Sequence, residues 1–165
     1  MKNGVLASLV CSLAASGVAS AQCVPVWETG LGTPGVSGGY VGPMTVWDDG
    51  TGERLYVGGS ATSIGGTSLN RYLARYNPST GTWSRLGTGI EAGTTNAFIT
   101  RMRAWNDGSG EKLYVAGQYF RAGGVSGTNS FAAWNGSAWE DLGAGFTQAV
   151  PRVVYDMLAL DLGSG

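Results

Sequence analysis

The chain has 165 residues, 10 Lys plus Arg against 11 Asp plus Glu, and no histidine. A net charge of −1 with interspersed signs excludes the basic stripe that a nucleic-acid or anionic-membrane partner needs. With 13% charged residues and 29 glycines, the composition suits short strands joined by tight turns and is poor material for helices.

The N-terminus reads as a secretory signal peptide over residues 1–21. Lys2 precedes the apolar stretch Gly4–Val18, and Ala19-Ser20-Ala21 supplies a small-x-small cleavage site before Gln22. The stretch is broken by Ser12, Ser16 and Gly17 and is too short for a comfortable membrane span. A secreted or cell-surface location follows as the expectation, with no membrane insertion after cleavage. The mature chain keeps 144 residues and one cysteine, Cys23, which rules out an internal disulfide in the processed form. Gln22 stands where a lipoprotein signal would place a small residue, which argues against a lipid anchor.

Residues 22–43 hold Val26-Trp27-Glu28 followed by Leu31-Gly32, which reads as the fourth strand of a unit lacking its first three. A repeat begins after it. Met44, Trp47, Leu55–Gly59 (LYVGG), Gly65-Gly66, Leu73-Ala74 and Asn77 return 58 residues later as Met102, Trp105, Leu113–Gly117 (LYVAG), Gly123-Gly124, Phe131-Ala132 and Asn135. Trp83, Leu86, Gly87 and Gly89 return 56 residues later as Trp139, Leu142, Gly143 and Gly145. A period of this size marks one supersecondary unit used repeatedly.

In the first unit (residues 44–101), Met44–Trp47, Leu55–Val57, Tyr72–Tyr76 and Thr82–Leu86 are strand-length runs rich in β-branched and aromatic residues. Gly, Asn, Asp or Pro bounds each of them. The second unit (102–154, with its first strand opening at Arg101) repeats the order as Arg101–Trp105, Lys112–Ala116, Phe131–Trp134 and Ala138–Asp141. A third begins over 155–165, where Tyr155–Leu160 is expected as a strand and Met157 answers Met102. The fold class expected is all-β: four-stranded antiparallel sheets packed as blades of an incomplete propeller, in preference to a linear stack. Two blades and a fraction suggest a fragment.

LYVGG followed by LARYNPSTGTWSRL, with Tyr76 and Trp83 seven apart, resembles the kelch repeat. Ala116 replaces one glycine in the second copy, and Trp134 stands in the Tyr place ahead of Trp139. The extra Gly65-Gly66 and Gly123-Gly124 pairs and the LGTG or LGAG endings are more similar to repeats of large secreted bacterial proteins and of the fungal Rax2-type family. The resemblance spans residues 26–165 and implies a β-propeller, a fold that hosts enzymes and binding modules alike.

Without histidine, Ser-His-Asp and Cys-His catalysis, His-ligated zinc or copper, and the commonest general base near neutral pH are all excluded. No catalytic, cofactor-binding or metal-ligating residue is assigned. The acidic segments Asp48–Glu53 and Asn106–Glu111 invite a calcium reading, but they lack D-x-D-x-D-G spacing, and hairpin turn chemistry explains them better. Asn77–Trp83 is close to a sialidase Asp-box without its Asp, and a turn accounts for it. Trp83 and Trp139 could stack on sugar, yet recurrence at one repeat position favours packing. Asn135-Gly136-Ser137 matches a glycosylation sequon and is more simply a turn. The loops Ser60–Ile64 and Gln118–Ala122 differ between copies, which makes Tyr119, Phe120 and Arg121 candidates for touching a ligand.

Two functions remain open at this stage. The leading expectation is a secreted or surface-exposed, non-catalytic binding protein with an unknown protein or carbohydrate ligand and no cofactor. The alternative is part of an extracellular enzyme of the galactose-oxidase type, its site carried by blades outside this stretch.

Overall fold

The computed structural model describes residues 6–11, 23–28, 35–66, 72–93, 96–143, 146 and 152–160, the first two segments as backbone only. Among these residues the chain is all β, without a helix, in several antiparallel sheets of two or four strands. β1 (Leu6–Cys11) pairs with β2 (Cys23–Glu28) in a register that sets Cys11 opposite Cys23. Val26–Glu28 is therefore in a strand, but one that pairs with Leu6–Cys11 in a separate two-stranded sheet and joins neither four-stranded sheet as a fourth strand. The rest of the expected signal peptide, the cleavage site and Leu31-Gly32 lie outside the described residues.

The two repeat units fold alike. Sheet I orders β4 (Val41–Asp48), β5 (Glu53–Gly59), β7 (Leu73–Asn77) and β8 (Thr82–Ser84) side by side. Sheet II does the same with β10 (Phe98–Asn106), β11 (Glu111–Gln118), β13 (Phe131–Trp134) and β14 (Trp139–Glu140). Four strands per unit is what the apolar runs predict. Each unit also carries a small ladder that its pattern does not announce. β3 (Val36–Ser37) pairs with β6 (Ser63–Ile64), and β9 (Ile90–Glu91) pairs with β12 (Arg121–Ala122). Two residues per strand are too few for periodicity to register.

The double glycines follow from these ladders. Gly65 and Gly123 hold φ of +63° and +65°, and a Cβ there would stand 2.1 Å from Trp83 Cδ1 and 2.5 Å from Trp139 Cδ1. A side chain at that turn and a tryptophan on the fourth strand exclude one another, so the two features recur together.

Side chains alternate across each sheet, and the two sheets stack through one pair of faces. Trp47, Tyr56 and Leu73 of sheet I join Met102, Leu113, Val115, Ala132 and Trp134 of sheet II in the main core. β10 packs on both β4 and β5. Close approach is possible because Gly58 lacks a side chain where Ile99 sits. The opposite face of sheet I carries only a small cluster, Val57, Ala61, Ile64 and Ala74. Among the described residues the two four-stranded sheets do not close into a ring.

The third unit departs from expectation. Residues 152–160 form no strand. The segment does lie along β10: Val154 N donates to Gly117 O at 3.0 Å, and Thr100 Oγ1 donates to Val154 O. Arg101 Nε reaches Asp156 Oδ1 at 2.8 Å. One extended stretch held this way has too few ladder bonds to register as a strand.

Candidate functional site

A concavity with aromatic walls lies on the face of sheet II that points away from sheet I. Arg103 and Trp105 of β10, Tyr114 of β11 and Phe131 of β13 project to that face, because strand alternation sends Met102, Leu113 and Val115 to the other. Met157–Leu160 form the far wall of a cavity of about 300 Å³. The Tyr114 and Phe131 ring centroids are 6.2 Å apart, and the Arg103 guanidinium stands 5.8 Å from the Trp105 ring centroid.

The polar rim comes from the acidic turn. Asp107 Oδ1 accepts bonds from the Ser109 backbone N–H at 2.9 Å and hydroxyl at 2.6 Å, and its Oδ2 accepts from Tyr114 Oη at 2.8 Å. The Ser109 bonds first, then the Tyr114 hydroxyl, hold the Asp107 carboxyl well below the usual carboxylate range. Burial, with the neighbouring Asp107 bond, pushes the Tyr114 phenol up to about 12. Lys112 Nζ bridges Asp107 at 3.5 Å and Glu140 at 3.0 Å; its bond to Glu140 raises its own pKa and lowers that of Glu140. A carboxylate held ionised and a phenol held protonated are both far from the neutral poise that proton transfer wants. The arrangement offers apolar and aromatic contact with a fixed polar edge.

Sheet I has the same constellation, already filled. Trp47, Tyr56 and Leu73 occupy the places of Trp105, Tyr114 and Phe131, and Tyr56 Oη donates to Asp49 Oδ2 at 3.1 Å. Arg75 pairs with Asp49. Burial opposes ionisation of Asp49, but bonds from Thr51 and Tyr56 and the Arg75 charge outweigh it and lower its pKa. Here the slot is packed by Met102, Leu113, Val115 and Trp134 of sheet II.

The residues singled out from sequence fare differently. Tyr119 is fully buried, and its hydroxyl donates to Val115 O at 2.8 Å; it is a core residue, and the reading of it as a ligand contact is corrected. The loop pattern could not reveal this, because the β9–β12 ladder that turns the ring inward is formed by a distant segment. Phe120 and Arg121 stay near the surface, the guanidinium 4.7 Å from the ring centroid. Trp139 is buried with Nε1 donating to Leu86 O at 3.0 Å, and Trp83 packs beside the small cluster of sheet I. The packing role favoured for both tryptophans is the one they take.

Asp48 and Asn106 cap their turns through Gly50, Gly52, Gly108 and Gly110, as hairpin chemistry predicts. The Asn135 side chain accepts from the Ser137 and Ala138 N–H groups and donates to Glu140, again as a turn. What the sequence missed is the Arg103, Trp105, Tyr114 and Phe131 wall. Trp105 and Tyr114 were visible as repeat counterparts of Trp47 and Tyr56, but the repeat alone does not say which copy is left uncovered.

Fold and site together define an all-β protein of two like four-stranded sheets, one of which carries an aromatic-walled cleft. Compared with family models, curated proteins and solved structures, the chain matches none.

Proposed function

We propose that sheets I and II are blades of a kelch-type β-propeller, and that the protein is a secreted or surface-displayed binding protein for a protein or carbohydrate ligand. One observation carries the non-catalytic part. The polar groups that chemistry would need, Asp49 with Tyr56 and Asp107 with Tyr114, recur at equivalent positions and are bonded to one another in the same way. A catalytic site must break repeat symmetry; these pairs keep it. The repeated four-strand order and the face-to-face packing of the two sheets support the blade reading. Phe120-Arg121, on a rim loop that differs between copies, is the ligand contact we favour.

The test is fractionation of the source culture with intact mass and peptide mapping, followed by a glycan array on the purified protein and its Phe120→Ala variant. Extracellular protein starting at Gln22, whose array signal falls on Phe120→Ala, is the expected result. Protein retained inside the cell with Met1 intact would overturn secretion. An array signal indifferent to Phe120→Ala would overturn the placement of the ligand.

A further inference from the structure

Sheet I and sheet II meet through two unlike surfaces. One is a slot, made in sheet I by Trp47, Tyr56 and Leu73. The other is a ridge, made in sheet II by Met102 with Leu113 and Val115. Each sheet owns both surfaces, because the sequence that forms them repeats. Within the described residues, one slot and one ridge are left without a sheet against them.

The free ridge is on sheet I. Met44, the counterpart of Met102, is 62% exposed, whereas Met102 is 9% exposed; Val46 beside it is 58% exposed, while Leu55 and Val57, the counterparts of Leu113 and Val115, pack into the small cluster of their own sheet and leave Met44 and Val46 as the exposed part of the ridge. The free slot is on sheet II, at Trp105, Tyr114 and Phe131, where residues 157–160 provide only a single extended stretch and leave the cavity of about 300 Å³. Met157, which answers Met102 in the repeat, lines the slot, and among the described residues no strand follows to supply counterparts of Leu113, Val115 or Trp134. The stretch is tied by the Arg101–Asp156 pair between exposed side chains, worth little in solvent, and by the bonds of Val154 to Gly117 and to the Thr100 hydroxyl.

We infer that a second copy of this chain docks head to tail, its Met44 ridge entering the Trp105–Tyr114–Phe131 slot and displacing residues 157–160. The occupant is identified by the interface inside the chain: among the described residues, the surface that fills the equivalent slot of sheet I is the ridge of the same repeat. Both surfaces are apolar, and the acidic turn at Asp107 rims the slot as Asp49 rims the filled one. Slot and ridge are different surfaces, so the contact is heterologous and propagates until the rotation closes. This inference rests on the blade reading of the two sheets.

The test uses the full chain, by light scattering and native mass spectrometry at tens of micromolar. Reversible self-association through the slot and ridge is expected. Met44→Glu, at an exposed position, and Phe131→Arg, in the slot, should each give monomers with unchanged circular dichroism. Mixed, they should form a one-to-one heterodimer, because one carries an intact slot and the other an intact ridge. A monomeric parent chain, or assembly indifferent to Met44→Glu, overturns the head-to-tail contact. So does a mixture that stays monomeric while both variants melt cooperatively. The blade reading fails separately, if Met102→Glu leaves the melting of the parent chain unchanged.

Discussion

Tyr72 and Ser130 lie 58 residues apart and both hold a left-handed backbone, with φ of 66° and 63°. Each is clamped by the same two bonds. Gly59 N donates to Tyr72 O at 3.0 Å and Gly117 N to Ser130 O at 3.1 Å; Tyr72 N donates to Ala61 O at 2.9 Å and Ser130 N to Tyr119 O at 3.1 Å. The repeat therefore conserves a strained conformation whose side chain it does not conserve. A tight crossing at the head of the third strand requires φ > 0 whichever residue stands there.

Ser130→Gly should stabilise the protein. The left-handed backbone costs a residue with a Cβ about 1–2 kcal/mol, and the buried Ser130 Oγ has no hydrogen-bond partner. Removing both outweighs the extra freedom of glycine in the unfolded chain, about 0.5–1 kcal/mol. A net gain of about 1 kcal/mol is expected in urea melts. Any loss of stability would show that the Ser130 hydroxyl is bonded after all.

Gly123→Ala should be severely destabilising. Its φ is +65°, and the new Cβ would fall 2.5 Å from Trp139 Cδ1, on a ring whose Nε1 is fixed to Leu86 O. Overpacking costs about 1–3 kcal/mol, and the left-handed backbone adds about 1–2 kcal/mol. Thermal melts followed by Trp fluorescence should show the loss. Gly108→Ala, with φ of +95° but open space around the Cβ, should show the backbone part alone.

Gly58→Ala tests the joint between the sheets. Its Cβ would meet Ile99 Cγ2 at 2.9 Å and Cβ at 3.0 Å, and Ile99 is buried. A cost of about 1–3 kcal/mol is expected. It should shrink when Ile99→Ala is made first, since residues in contact are non-additive. Full additivity in that double-mutant cycle would mean the sheets are not packed at this point. The second copy carries Ala116 at the corresponding place, fully buried.

Acid should act through Asp49. Its folded pKa is lowered, so its contribution is present above the unfolded value of about 3.9 and is lost as pH falls through the folded value. The side chain is 1% exposed, and it accepts bonds from Thr51, Tyr56 and Arg75. Asp49→Asn should cost about 2 kcal/mol at neutral pH, in line with hydrogen bonds to a charged group. It should also flatten the fall in stability below pH 4, measured by urea melts from pH 2 to 7. Equal slopes in both proteins would dismiss Asp49 as the acid-sensitive group.

Much of this molecule was legible before any coordinates. The 58-residue step, the four apolar runs and the turn residues between them determined an all-β repeat and its strand order, because strand length, alternation and turn chemistry are local properties. The paired Gly65-Gly66 and Gly123-Gly124 were visible as motifs, though not the reason for the first glycine of each, which is a tryptophan some 16–18 residues onward. Tyr119 was misread because its burial depends on a two-residue ladder too short to leave a pattern. Tertiary structure decided which chemically identical surfaces are covered. Met44 and Met102 read the same in the sequence; only the stacking of one sheet on the other buries the second and leaves the first in water, since burial depends on what lies across the gap.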